Sequence, residues 1–237
     1  MKNKIIVKTN ADLRKLIKQQ VELNGVGCDL NHLDVSQVTD MSTVFFGSKF
    51  NGDISQWHVS KVIDMSMIFY DSHFNGDISG WNVSRVENMN NMFTHARFNS
   101  DISNWNTSTV ANMSQMFSDS EFNGDISQWD VSKVRNMSYM FSNAKFNKDI
   151  SRWNVSNITT MRLMFHQSKF TGDISSWKPY NLDDKEFMLH KCSAPKPYWY
   201  FAQDIKSAIQ LYPIYELQKK LQQNLEAKLP EKNKVKI

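Results

Sequence analysis

The chain reads as an α/β repeat solenoid on three observations. Trp57, Trp81, Trp105, Trp129, Trp153 and Trp177 stand 24 residues apart without exception. Around them the phrase Phe-Asn-Gly-Asp-Ile-Ser-x-Trp-x-Val-Ser-x-Val-x-x-Met-x-x-Met-Phe recurs almost verbatim, most completely at 122–141. Within each unit the apolar spacing changes from alternation to an i, i+3, i+4 pattern. A fixed period of roughly 20–50 residues marks units that bury their apolar faces only against their neighbours. The expected architecture is a right-handed solenoid of short parallel strands and short helices, with helical caps at both ends.

Residues 1–25 form the expected N-terminal cap. Ile5-Ile6-Val7 suits a short strand, and an amphipathic helix follows over 9–25. Thr9 or Asn10 can cap that helix, Leu13, Leu16, Ile17 and Val21 share one face, and Asn24-Gly25 can end it. The repeats occupy 26–177 as six to seven units starting at 26, 50, 74, 98, 122, 146 and 170. The first is worn, with Val26, Leu30 and Leu33 where later units have Phe, Ile and Trp. The last loses the pattern at Lys178-Pro179, as a terminal unit that must close an open edge should.

Inside a unit, Ile54-x-x-Trp57-x-Val59 suits a short strand with Trp57 and Val59 inward. Val62-x-x-Met65-x-x-Ile68-Phe69 has the spacing of one or two helical turns, and Phe50-Asn51-Gly52-Asp53 reads as the returning turn. Ser100 and Lys148 share the column of Gly52, so that position needs no positive φ. Residues 178–237 form the expected helical C-terminal cap. It holds a short helix at Asp183–Lys191, an aromatic stretch at Pro195–Phe201 and a longer helix over Pro213–Leu229. Ile214, Leu217, Leu221 and Leu225 stripe that longer helix, and Pro230–Ile237 is expected to fray.

The strand-then-helix layout is that of a leucine-rich repeat, with Ile-x-x-Trp-x-Val in place of Leu-x-x-Leu-x-Leu. Asp-Ile-Ser-x-Trp-x-Val-Ser-x-Val-x-x-Met-x-x-Met-Phe resembles the BspA-type leucine-rich repeats of bacterial surface proteins and lipoproteins, known from mycoplasmas and gut bacteria. The resemblance covers 26–177. It implies a leucine-rich-repeat-like solenoid engaged in adhesion or host interaction; the residues after Trp177 lie outside it.

Charge divides the chain in three. Residues 1–25 carry 6 Lys/Arg against 2 Asp/Glu, residues 26–177 carry 11 against 15, and residues 178–237 carry 11 against 7. Basic ends therefore flank an acidic middle, whereas a nucleic-acid reader concentrates cations on its main surface. Cys28 and Cys192 make neither a disulfide framework nor a metal motif. The apolar run at Ile5–Val7 is too short for a signal peptide, and no stretch approaches the roughly 20 apolar residues of a membrane span. The expected location is cytoplasmic.

Several columns invite a chemical reading and lose it. The Asp column at 29, 53, 77, 101, 125, 149 and 173 could bind cations, but one Asp per unit after Asn-Gly reads better as a turn residue accepting backbone hydrogen bonds. The Ser column at 36, 60, 84, 108, 132 and 156 has no base column to activate it. Met65, Met89, Met113, Met137 and Met161 read as core filling, and the Trp column as inward stacking rather than a base- or sugar-binding platform. The six histidines form no column and show no metal-site spacing. No catalytic residue, cofactor, metal or small-molecule substrate is expected.

Outward positions flanking each Trp are where recognition is expected. One column holds Gln56, Gly80, Asn104, Gln128, Arg152 and Ser176; its neighbour holds His58, Asn82, Asn106, Asp130, Asn154 and Lys178. From these, Gln56, His58, Asn82, Asn104, Asn106, Gln128, Asp130, Arg152, Asn154 and Lys178 are the candidate partner-binding residues, a polar face suited to hydrogen-bonded recognition of protein. The expected function is a non-catalytic protein-binding module, monomeric or heterodimeric. Its favoured form is a cytoplasmic immunity protein or inhibitor occluding a toxin, the acidic body matching a basic partner site. The alternatives are a surface adhesion module and a nucleic-acid-binding or enzymatic tail after 178.

Overall fold

In the computed structural model, which describes residues 4–228, backbone hydrogen bonds join residues one unit apart from one end of the repeats to the other. Parallel single-residue bridges link Asp40 to Asp64, Asp64 to Asn88, and so on through Asn112, Asn136 and Thr160 to Asp184. The chain divides into two compact units, Met1–Lys196 and Pro197–Ile237. The repeats lie wholly in the first. The expected frayed segment Pro230–Ile237 lies outside the described residues, as does the end of the helix expected to run to Leu229.

The unit at 122–145 shows how one rung is made. Phe122, Ile126, Trp129, Val131, Val134, Met137, Met140 and Phe141 are all buried. Two tight turns set the inward strip: Trp129 N–H donates to Ile126 O (3.1 Å) and Val134 N–H to Val131 O (3.0 Å). Between them, Trp129 and Val131 point inward and Gln128 and Asp130 outward, as alternation requires. The strip is nonetheless not a strand. Among the described residues the strands are β1 (Ile5–Ile6) and β2 (Leu33–Asp34), because the N–H groups at 129 and 134 close turns instead of extending a ladder.

The helix expected after each Val-x-x-Met is absent too, and a run of consecutive turns replaces it. Met140 N–H returns to Met137 O, Ser142 N–H to Tyr139 O and Ala144 N–H to Phe141 O. The alternate residues donate sideways instead: Met137 to Thr160 O, Tyr139 to Arg162 O, Phe141 to Met164 O and Asn143 to His166 O, at 2.7–3.0 Å. A helix would consume all those N–H groups internally. The turn run frees half of them to hold the next rung, while still sending i, i+3 and i+4 inward, which is why its apolar spacing imitates a helix. Tyr139 (φ 58°) and Asn143 (φ 54°) take the positive φ that this requires, as do their counterparts in every rung.

Side chains supply the lateral bonds elsewhere. All six repeat tryptophans donate Nε1–H to the backbone carbonyl 27 residues earlier, Trp129 to Ile102 O for example, at 3.0–3.2 Å. Asn51, Asn75, Asn99, Asn123 and Asn147 each accept the backbone N–H of the residue 24 positions on, at 2.7–2.9 Å. Phenylalanine rings stack through the core, with Phe117–Phe141 centroids at 5.8 Å and Phe122–Phe146 at 6.4 Å.

The first rung is closed by α1 (Asn10–Asn24) and β1. Thr9 caps α1 by accepting Asp12 N–H at 3.1 Å, and Gly25 ends it at φ 85°. Leu13 and Ile17 are buried. Asn10 Nδ2 donates to Ser42 O (2.8 Å) and Asp40 O (3.3 Å), carbonyls that a preceding rung would otherwise use. β1 pairs with β2 in parallel, Ile5 opposite Leu33.

At the other end the repeat pattern outlasts its sequence. The expected boundary at 177 and the short helix at Asp183–Lys191 are both corrected. The last rung continues through a turn run with Phe187 and Lys191 at positive φ, and Met161 N–H donates to Asp184 O. Lys185 stands in the Met column and hides the register, but Leu182, Met188 and Leu189 still fill the inward slots. In the second compact unit, α2 (Ile205–Lys228) carries Pro213 inside it. The stripe of Ile214, Leu217, Leu221 and Leu225 is more than half exposed.

The buried indole predicts a graded mutational response. Trp129→Ala should lower unfolding free energy by about 3–5 kcal/mol, the usual range for a buried aromatic. Trp129→Phe should cost less, about 0.5–1.5 kcal/mol for the lost indole hydrogen bond, because Ile102 O keeps the Trp105 N–H at 3.2 Å. Denaturant titration distinguishes the two; a Trp129→Phe variant as stable as the unaltered chain would show that the indole hydrogen bond contributes nothing.

Candidate interaction surface

The ten expected binding residues all fall on the outer side of the Trp strip and all are exposed. The structure thus brings both columns together on one face, but much of their polarity is already committed. The side-chain oxygens of Asn82, Asn106, Asp130 and Asn154 accept backbone N–H from Ser84, Ser108, Ser132 and Ser156, at 2.9–3.2 Å. Gln56 and Gln128 donate to the hydroxyls of Ser55 and Ser127. The amides that looked like recognition groups therefore brace the turn after each Trp. His58, Asn104, Arg152 and Lys178 make no side-chain hydrogen bond among the described residues.

The Asp column does what a turn residue does. Asp53, Asp77, Asp101, Asp125, Asp149 and Asp173 accept the N–H two residues on, at 2.8–2.9 Å. Backbone and hydroxyl hydrogen bonds from that serine hold the carboxyls of Asp53, Asp77, Asp101, Asp125 and Asp149 below the usual aspartate range. Among the described residues no group of three or more His, Cys, Asp or Glu could hold a metal ion. Burial pushes the Cys28 and Cys192 thiols up, away from the thiolate that reactivity needs.

A second face had no place in the sequence expectation: the outer side of the turn run. Its columns are 42, 43, 46 and 47 in the first rung, and they differ from rung to rung while the inward residues repeat. The column at Thr43 continues as Met67, Asn91, Gln115, Tyr139, Leu163 and Phe187, all at φ between 52° and 59°. Only Asn tolerates that region well; a β-branched or bulky residue there is strained by about 1–2 kcal/mol. The column at Gly47 continues as Asp71, His95, Asp119, Asn143, Gln167 and Lys191, mostly small polar types better suited to it.

Aromatic groups mark both ends of this face. Phe46 and Tyr70 stack at 4.8 Å with planes 2° apart, and His95 meets Tyr70 edge-on. At the far end His166 and His190 stack at 5.0 Å with Nδ1 atoms 3.2 Å apart, and Phe187 meets His190 edge-on. These two histidines stand one unit apart, which corrects the reading that the histidines form no column. Burial, then the neighbouring His190 and Lys191, hold His166 below its usual value. Between the ends lie Thr94, Ser118 and Ser142, buried small residues whose hydroxyls donate to backbone carbonyls of the next rung. Their variation after each Met is the sequence signal that marks them.

The geometry defines a stacked repeat protein with two outward faces, one braced by side-chain hydrogen bonds, one strained at positive φ. The family model for Mycoplasma protein of unknown function, DUF285, matches residues 11–121 and again 95–199. The chain belongs to that family. No curated protein and no solved structure matches it. Among the described residues no helix is long and apolar enough to cross a membrane.

Two measurements follow. The lowered aspartates bind fewer protons folded than unfolded, so their stabilisation is complete above the ordinary aspartate value near pH 4 and is lost as pH falls through the lowered ones. Asp101→Asn with Asp125→Asn keeps the acceptors but removes the titration, so stability measured in urea between pH 5 and 2 should fall less steeply than in the unaltered chain. Separately, Tyr139→Gly should stabilise by up to about 1 kcal/mol through release of backbone strain. A loss larger than that would show Tyr139 retained for packing rather than for its outward surface.

Proposed function

We propose that residues 26–196 are a non-catalytic, leucine-rich-repeat-like right-handed solenoid whose turn-run face binds another protein. One observation carries the reading: large side chains stand at positive φ in the column that varies most. Strain of this kind persists where a side chain is needed for something other than folding. The aromatic ends support it, since exposed Phe46, Phe187 and His190, held by stacking or edge-on contact, give contact area at low entropic cost. The braced Trp-side face, with Arg152 and Lys178 at its C-terminal end, is the rival surface.

The finer form we favour is a surface interaction module, in keeping with the BspA-type resemblance and with membership of a Mycoplasma family. The occluding-inhibitor form rests on the acidic excess of residues 26–177 and on the expected cytoplasmic location, and the strained columns give it no added support. Captured partner should be lost from Tyr139→Ser with Leu163→Ser and kept by Arg152→Glu with Lys178→Glu, measured by chemical crosslinking on intact source cells. The reverse result moves the site to the Trp-side columns. Protease treatment of intact cells should cleave the chain; a strictly protected cytosolic chain would overturn the surface form.

A further inference from the structure

Where α1 crosses the first turn run, the molecule leaves a groove of about 620 Å³. Ile17, Val21, Val44 and Phe46 form its apolar lining, and three cations, Arg14, Lys15 and Lys18, stand with one carboxylate, Glu22, along its helical wall. Phe46 is 51% exposed yet fixed in orientation, because its ring lies flat on Tyr70. Lys18 has only an exposed 3.9 Å pairing with Glu22, a contact of small value in water. Arg14 reaches Thr43 Oγ1 at 3.4 Å, and neither it nor Lys15 pairs with a carboxylate among the described residues. Cations gathered over apolar carbon select a ligand that is anionic and apolar at once.

We propose that this groove docks an acidic polypeptide segment carrying one aromatic or aliphatic anchor. The proposal rests on the protein-binding reading above and names the chemistry of the partner at the first-rung end of the turn-run face. The spacing of the cations favours a peptide over a single carboxylate headgroup. Residues 14, 15 and 18 extend over about 6 Å of helix axis, so they match several carboxylates strung along a chain. The apolar lining does not end at the groove either. Through the Phe46–Tyr70 stack it continues onto the second rung, giving an extended ligand a path along the face. The anchor fills the space over Phe46 and Val44, and the flanking carboxylates meet Arg14 and Lys15.

The test uses the full chain and a fluorescein-labelled heptapeptide, Glu-Glu-Phe-Glu-Glu-Leu-Glu, read by anisotropy at low and moderate salt. Binding should be saturable and weaken as salt rises. It should weaken at least tenfold on replacing both anchors by Glu, and at least tenfold in Lys15→Glu and in Phe46→Ser, each checked by its melting curve. Lys133→Glu, an exposed charge change on a later rung, should leave it unchanged. Lys15 is exposed on α1, so its variant tests the groove even if Phe46→Ser unfolds. Equal binding of the all-Glu peptide, or full affinity in Lys15→Glu, overturns the proposal. Displacement of the peptide by dodecanoate overturns it in favour of an acyl carboxylate site. Dimerisation with concentration that Lys15→Glu abolishes overturns it in favour of a second copy. Loss of peptide binding with crosslinking still dependent on Tyr139 and Leu163 sinks only the groove; the opposite pairing sinks only the wider face.

Discussion

Everything in the repeat stack depends on how the turn run divides its backbone hydrogen bonds. A helix keeps all its N–H groups to itself, and a strand spends them all on neighbours. The run at 137–144 does half of each: Met137, Tyr139, Phe141 and Asn143 reach the next rung while Met140, Ser142 and Ala144 close turns within their own. Rungs are thereby held at a fixed register without a sheet. The cost falls on the backbone, which must take positive φ twice per rung, at residues such as Met67 and Asp71. Register this strict tolerates no inserted residue, which is the physical meaning of a period that never departs from 24.

The core answers the same constraint. Identical residues lie over one another, so each side chain must pack against its own kind. Flat rings do this well, and the Phe columns stack nearly parallel. Tryptophan adds what leucine could not, an N–H that binds the preceding rung where the backbone is busy with turns. Asparagine performs the complementary task on the returning side by accepting a backbone N–H from the following rung. Where a rung lacks a predecessor, Asn10 of α1 supplies the missing donor. The end of the stack is thus treated as a hydrogen-bonding problem as much as a hydrophobic one.

This division separates the two outer faces. On the Trp side, the short polar residues close turns, so Asn82, Asn106, Asp130 and Asn154 are spent on structure. On the turn-run side the hydroxyls of Thr94, Ser118 and Ser142 bond carbonyls of the next rung, while the residues of the column at Thr43 are different in every rung. Their variety, their strain and their stacked aromatics make this the face on which partner choice is proposed to reside. The basic helix beside it extends that face with net positive charge, opposite in sign to the net charge of residues 26–177.

The sequence alone determined the rung: its length, its inward residues from Phe122 to Phe141, the turn role of Asp125 and a helix capped at Thr9 or Asn10. These follow from periodicity and local chemistry, which neighbouring residues report directly. Only the tertiary structure decided that the i, i+3, i+4 spacing is a turn run, that Trp129 donates to Ile102, and that the last rung continues past Trp177 to Lys191. Inward spacing is the same for a helix and for linked four-residue turns. What distinguishes them is the destination of the alternate N–H groups, which lies one rung away and leaves no mark within the unit. The outer face is hidden from the sequence for the same reason, since which polar residues are free depends on bonds that form only when the chain folds into stacked rungs.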